Sequence, residues 1–329
     1  MTSVASGEAR PPGKPFSLAR REARWGYIFL SPWIVGFLAF TLIPMVATLV
    51  FSFTNIELLK PNQSIQFVGL KNWQDMLGDP QMWAAMRVTF SFAALQLPLA
   101  VILPFLVALL INSKRLIAPS LFRVLFFMPY TVPFVAGVVI WEQMENPTSG
   151  WIAFFINWVN GALTFLLGPL HIVVNMTPPS WLNDPSLIYP ALVVLGLWGI
   201  GGAMIVYLGG LQGIPTELYD AAKIDGAGWW GQMRHVTLPM MSPVFLYTLV
   251  LSIVDVLQYF LVVQVINNGT GEPAGTTNFY NLYLYKNFFS YGHEGYASAM
   301  AWLLFVITLV ITLGVFLSAR KWVYYAGER

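Results

Sequence analysis

Cysteine is absent from all 329 residues, which excludes a disulfide framework, thiolate catalysis and cysteine metal sites and leaves the redox compartment open. Charge is nearly as scarce. Only 10% of residues are Asp, Glu, Lys or Arg, against about 25% in soluble domains. A net charge of +2 is too small to argue for a nucleic-acid or strongly acidic partner. Histidine occurs three times (His171, His235 and His293), too scattered for a metal site, and no cluster of His, Asp and Glu suggests an enzyme active site. No G-x-x-x-x-G-K-[ST] phosphate loop occurs, so the chain binds no ATP by that route and no cofactor is expected on it. What it has in plenty is apolar surface: 57% hydrophobic residues and a mean hydropathy of +0.65. That composition belongs to a protein whose solvent is lipid.

Residues 1–25 are polar and basic and read as an N-terminal segment on the cytoplasmic side. The apolar run Gly26–Phe53 is too long for a signal-peptide core and lacks a cleavage site, which makes it an uncleaved first span. Further spans are expected at Val88–Ile111, Leu121–Trp141, Leu187–Gly210, Pro243–Ile266 and Gly295–Ser318. Each has the length to cross roughly 30 Å of hydrocarbon as a helix. The apolar stretch Trp151–Val174 is interrupted by Asn157, Asn160, Gly161, Gly168, Pro169 and His171. Counting it as a span inverts everything after it. With six spans and both termini cytoplasmic, thirteen of the Lys and Arg residues lie inside, and Lys60, Lys71, Arg87 and Lys286 lie outside. A seventh span erases that bias, so the positive-inside rule makes 151–174 an external segment. The spans form one transmembrane domain, 26–320, followed by a cytoplasmic tail, 321–329, and the fourth carries small residues for close helix packing.

Between the fourth and fifth spans lies a polar island, Pro215–Pro239, reading PTELYDAAKIDGAGWWGQMRHVTLP. Pro215 and Thr216 can open a helix, and Glu217, Asp220, Lys223 and Ile224 recur at the spacing of one helical face. Gly226 and Gly228 allow a sharp turn. A second short helix, Trp229 to His235, is expected to stop at Leu238-Pro239. The result is a helix–turn–helix outside the membrane, compact enough to be gripped by another protein.

This island resembles the EAA loop of permease subunits of binding-protein-dependent ATP-binding-cassette (ABC) importers. Asp220-Ala221-Ala222, Gly226 and Val236-Thr237-Leu238-Pro239 match the pattern E-A-A, three residues, G, nine residues, I-x-L-P without insertion. Asp220 stands for glutamate and Val236 for isoleucine. Residues 28–54, Phe67–Trp73, Leu121–Tyr130, Trp181–Pro185, Gly210–Pro215 and Ser298–Ala301 are also similar to the carbohydrate-type permeases. The likeness covers about residues 26–320. Asn267–Pro273 (NNGTGEP) departs from the family's T-x-G-G-P, and 151–174 is longer than usual.

The resemblance implies an all-α type I ABC importer permease with six transmembrane helices in a bacterial plasma membrane. Its implied partners are a second permease, an ATPase dimer that uses ATP and Mg, an extracytoplasmic solute-binding protein and a sugar-like substrate. Within 215–239 it implies that Glu217, Asp220, Ala221, Ala222, Asp225, Gly226, Leu238 and Pro239 dock the ATPase, with Asp220 meeting a basic residue there. Asp255 is the sharpest signal inside a span, because a mid-bilayer acid costs about 2.5–3.5 kcal/mol and needs a polar interior or a partner. Gln258 and Tyr259 follow on its helical face and Ser252 precedes it. Registering the chain on the loop of related sugar permeases adds Leu195, Trp198, Gly199 and Gly202 of the fourth span to the substrate pathway. The competing reading of Asp255 is a helix–helix hydrogen bond or a carboxyl kept neutral by burial. Gln96 and Asn112 read as packing or capping residues, and Glu142 and Glu145 as possible contacts for the binding protein. A self-sufficient secondary transporter or channel is the alternative function, but it needs coupling acids in several spans, and only Asp255 is clearly buried in one. Reporter fusions at Asn160 and Trp230 are expected to report opposite sides of the membrane; a shared side refutes the six-span arrangement.

Overall fold

The computed structural model describes residues 16–57, 64–113, 115–167 and 175–325. Lys60, Lys114 and His171, residues 1–15 of the N-terminal segment and 168–174 of the external stretch lie outside the described residues. Among the described residues the fold is all helix, apart from an isolated bridge between Thr54 and Phe67. Four helical runs are long and apolar enough to cross a membrane: Arg20–Phe51, Pro80–Ile111, Trp229–Gly269 and Glu294–Ala319. Two bent helix pairs bring the total to as many as six.

The first run comprises α1 (Phe16–Phe37) and α2 (Ile43–Phe51), joined by a π turn at Leu38–Leu42. Its most apolar stretch is left uncovered by the chain, and only its C-terminal end packs, through α2 against α15 (Glu294–Ala319). α3 (Lys71–Gly78) leads into α4 (Pro80–Ile111), the helix at the centre of the bundle. α4 carries apolar side chains on every face, as a fully surrounded helix should. It packs against α8 (Ile188–Trp198), α9 (Gly201–Gln212), α12 (Leu238–Leu257) and α14 (Tyr280–Tyr285). Three apolar clusters follow its length: Met82 and Met86 near its start, Phe92 in the middle, Phe105 and Ala108 near its end.

The third and fourth spans, expected as continuous helices, are broken. α5 (Pro119–Phe127) passes into a 3₁₀ turn at Met128–Thr131 and then bends by 100° into α6 (Phe134–Met144). Pro129 and Pro133 account for the break, since neither has a backbone N–H to continue the ladder. α8 and α9 bend by 54° at Gly199 and Ile200. The two breaks pack on each other: a Cβ on Gly201 would stand 2.4 Å from the Phe126 carbonyl oxygen, so only glycine admits this approach. α7 (Trp151–Leu167) is a surface helix with Trp151, Phe154, Phe155 and Trp158 exposed. Asn160 fastens it by hydrogen bonds with the backbone N–H and carbonyl of Met176.

One end of the bundle is clasped by Asp79, the N-cap of α4. Its Oδ1 accepts from the Gln81 N–H (2.8 Å), while Oδ2 accepts from Tyr283 (2.7 Å) and Tyr296 (2.6 Å). Burial alone would raise this carboxyl, but the hydrogen bonds from Tyr296, Tyr283 and the amides of Gln81 and Met82 outweigh it and hold Asp79 below the usual carboxylate range. The sequence therefore joins α4, α14 and α15 through one charge. Glu145, at the C-terminal end of α6, behaves oppositely. It is 4% exposed, its Oε2 has no hydrogen-bond partner, and burial pushes it up to about 7, against a weaker opposing effect of the Trp141 indole. So deep a residue is not presented to a docking protein, contrary to the expectation from its place at the end of a span.

Two predictions follow from these carboxyls. Asp79→Ala strands two tyrosine hydroxyls and is expected to cost about 2–3 kcal/mol, read as a lowered melting temperature of the detergent-solubilised protein. Glu145 gains its proton more readily folded than unfolded, so its contribution to stability falls as pH rises from its ordinary value towards 7. Glu145→Gln should then melt higher than the parent at pH 8 and together with it at pH 5.

Candidate solute cavity and coupling segment

The two broken spans leave a cavity of about 620 Å³ between α4, α6, the α8–α9 break and α12. Gly199 and Gly202 line it from the break, Ser252 and Asp255 from α12, and Gln258 and Tyr259 from the residues just beyond. Ser252 and Asp255 are three apart and share a helix face. The carboxylate of Asp255 is exposed to the cavity, and no hydrogen bond or ion pair to it is found among the described residues. No Lys, Arg or His lines the cavity. Six of the eight residues expected on a substrate pathway thus surround one space.

The other two turn elsewhere. Leu195 is 6% exposed in the apolar core around Phe92. Trp198 ends α8 and lays its ring against Gly137 and beside Trp141, with ring centroids 5.9 Å apart. The break at Gly199 separates the face of Trp198 from that of Gly202. Gln96 is the residue that sequence reasoning missed: expected to pack, it lines the cavity, and its Oε1 is buried without a partner. A lone polar side chain in the middle of an apolar α4 is the only signal the sequence offers for it.

The segment after α9 folds as two helices joined by a tight turn. α10 (Thr216–Ile224) carries Glu217 in its first turn and Lys223 in its last, where each charge suits the helix dipole. Asp225 is its C-cap. Gly226, at φ +79°, reverses the chain while the Ala227 N–H bonds the Ala222 carbonyl (2.8 Å) and the Gly226 N–H bonds that of Lys223 (3.0 Å). This is a Schellman closure, and a left-handed residue there needs glycine. The turn is therefore fixed in angle.

α11 (Trp229–Gln232) does not stop at Leu238-Pro239, as the sequence suggests. It runs through a π turn, Met233–Thr237, straight into α12. The wider turn accommodates Pro239, whose ring would clash with the carbonyl four residues back in a regular α-helix. Tyr219 secures α10 to this continuous helix by a hydrogen bond to Thr237 (3.0 Å).

On the outward surface of the segment, Ala221 and Ile224 are accompanied by Trp229 and Trp230, with Ile224 87% and Trp230 76% exposed, while Ala222 is half-buried. Asp220 Oδ1 accepts from Lys223 Nζ at 2.8 Å, both side chains well exposed. Such a surface pair is worth about 0–1 kcal/mol and yields easily to another partner.

Residues 88–323 match the family described as binding-protein-dependent transport system inner membrane component. The chain is 32% identical over 311 residues to the probable ABC transporter permease protein YesP of Bacillus subtilis, covering 94% of each. It is 31% identical to the trehalose/maltose transport system permease protein MalF of Thermococcus litoralis, covering 90% of this chain and 94% of the relative. Its fold is similar to a chain in the crystal structure of a bacterial alginate ABC transporter in complex with an alginate pentasaccharide-bound periplasmic protein, at TM-score 0.74 and 21% identity over 92% of this chain and 96% of that one. With the family match running from within α4 to beyond the end of α15, the chain belongs to the inner-membrane permease components of binding-protein-dependent ABC importers.

Proposed function

We propose that this permease forms half of a pathway for a sugar, oligosaccharide or related polyol, driven by ATP hydrolysis in a separate subunit. The observation that carries this reading is mechanical. The helix that begins at Trp229 in the coupling segment is continuous through the π turn with α12, which bears Ser252 and Asp255 on the cavity wall. A force applied to α10 and α11 reaches the solute cavity through one stiff element, and rigid-body tilting of such an element is a known route to alternating access.

A second, homologous permease closes the other side of the cavity. An ATPase dimer holds α10 and α11 from the cytoplasm, and an extracytoplasmic binding protein delivers the solute at the opposite face. The sugar assignment draws on the transport named for the trehalose/maltose relative and on the cavity's lining of hydroxyl, amide and carboxylate groups. Asp220 contributes by leaving Lys223 for a basic residue on the ATPase, with Ala221 and Ala222 permitting close approach. Ile224, Trp229 and Trp230 supply the apolar contact, since aromatic anchors carry much of the energy in interfaces of this kind.

Asp220→Lys is expected to insert normally into the membrane and lose co-purification of the ATPase; retention of the ATPase at parental levels refutes the docking role. Trp230→Ala should weaken the same association by about 2 kcal/mol or more, measured by titrating ATPase onto the solubilised permease pair. For the pathway, Asp255→Leu should abolish uptake with the ATPase still bound, whereas a loss of folded protein alone marks Asp255 as a packing residue.

A further inference from the structure

The apolar stretch after α6 has no task in the transport pathway, yet over its described part it folds into α7. The helix Trp151–Leu167 contains no charged residue. Its large apolar side chains are not spread around it: Trp151, Phe154, Phe155, Trp158, Phe165 and Leu166 fall in one continuous stripe covering about a third of the circumference. Each of the six is between 62% and 83% exposed. The opposite face belongs to the protein. Ala153 is buried there, Ile152, Ile156, Val159 and Leu163 are half-buried, and Asn160 holds the Met176 backbone.

The position of α7 says what covers the bare stripe. α6, from which the chain enters it, packs against α13 (Leu261–Val265) and the turn at Ile266–Gly269, the outer end of the span that begins at Trp229. A closed turn joins α6 to α7: Asn146 Oδ1 accepts from the Thr148 N–H (2.9 Å), the Thr148 hydroxyl (2.7 Å) and the Ser149 N–H (3.1 Å), and the Gly150 N–H bonds the Asn146 carbonyl (2.9 Å). α7 therefore starts at the outer edge of the hydrocarbon. At about 25 Å it is short of the roughly 30 Å needed to cross, and the Lys and Arg balance places it outside. In water such a stripe is a surface for aggregation. A partner that docks and leaves would bare it in every cycle, whereas the bilayer beside it is always present. Tryptophan and phenylalanine on one face of an uncharged helix suit the boundary between headgroups and acyl chains.

We propose that α7 is a lipid anchor, lying in the plane of the outer interface with its aromatic stripe sunk among phospholipid acyl chains and holding the outer end of the α5–α6 pair at that depth. The anchor rests on the six-span arrangement and goes beyond the proposed function, since it requires neither the sugar nor the ATPase contact.

The chain has no cysteine, so single thiols report on it directly. In the transporter reconstituted with its partner permease and ATPase in phosphatidylcholine vesicles, Phe155→Cys and Phe165→Cys are labelled with bimane, and the parent complex treated alike supplies the blank for thiols on the partners. Both labels are expected to lose emission when the lipid is brominated near the glycerol end of its acyl chains, less so when it is brominated near the methyl end, and to keep it against aqueous iodide. The two stand about 15 Å apart along the helix, so equal quenching shows that it lies flat and unequal depths overturn the in-plane anchor. Asn157→Cys, off the stripe, should be quenched by iodide instead. Stripe labels quenched by iodide and not by bromolipid overturn the anchor. Labels shielded from both quenchers overturn it too, assigning the stripe to the partner permease, or to the binding protein where the shielding appears only on its addition. ATP hydrolysis at the parental rate marks each labelled variant as folded, and Trp151→Cys replaces one that is not. Iodide that reaches the Asn157 label only from the side bearing the ATPase refutes the six-span arrangement, and the anchor with it.

Discussion

A polypeptide in hydrocarbon has no water to satisfy its peptide groups, so it must be helical wherever lipid surrounds it and can break only where protein or a wet cavity takes over. The two bent pairs of this chain touch where Gly201 approaches the Phe126 carbonyl and Gly202 the Tyr130 ring, and a cavity lined by Tyr130, Phe134, Gly199 and Ile200 opens beside that contact. Prolines open one break and glycines the other, and Gly201 brings the second against the Phe126 carbonyl. The polar side chains that line the cavity lie around this irregular zone, between helices that are otherwise apolar.

The segment between α9 and α12 meets a different requirement if it takes the coupling role proposed for it, because a flexible loop would absorb a displacement that a stiff one passes on. Here the Schellman closure at Gly226 fixes the angle between α10 and α11, the Tyr219–Thr237 hydrogen bond braces the pair, and the π turn lets the helix run past Pro239 without a break. An apolar cluster with Met233, Met241 and Tyr219 at its edge then seats the segment on the end of α4.

Much of this was legible in the residues. Twenty-residue apolar runs located the spans, and the spacing from Asp220 through Gly226 to Pro239 identified the loop and its turn. Asp255 stood out because an acid in such company needs a reason. What was not legible depended on third dimensions that a linear pattern does not carry. Gly199 reads equally well as a packing glycine or as a helix break, and register on the loop alone does not tell that Leu195 and Trp198 face the core and Gly137 rather than the cavity. Pro239 reads as a stop unless one knows that a π turn precedes it. Gln96 looks like one tolerated amide in a long apolar helix, and only its position opposite Gly196 shows the space it occupies.

The Asp79 clasp ties one end of α4 to α14 and α15, while the other end of α4 lies under the segment that opens α12. α12 packs against α4 and α15 without sharing that carboxylate. If the segment is the lever proposed above, the tied helices are the stationary frame, and the wall that carries Asp255 can shift against them while the knot at Tyr283 and Tyr296 stays closed.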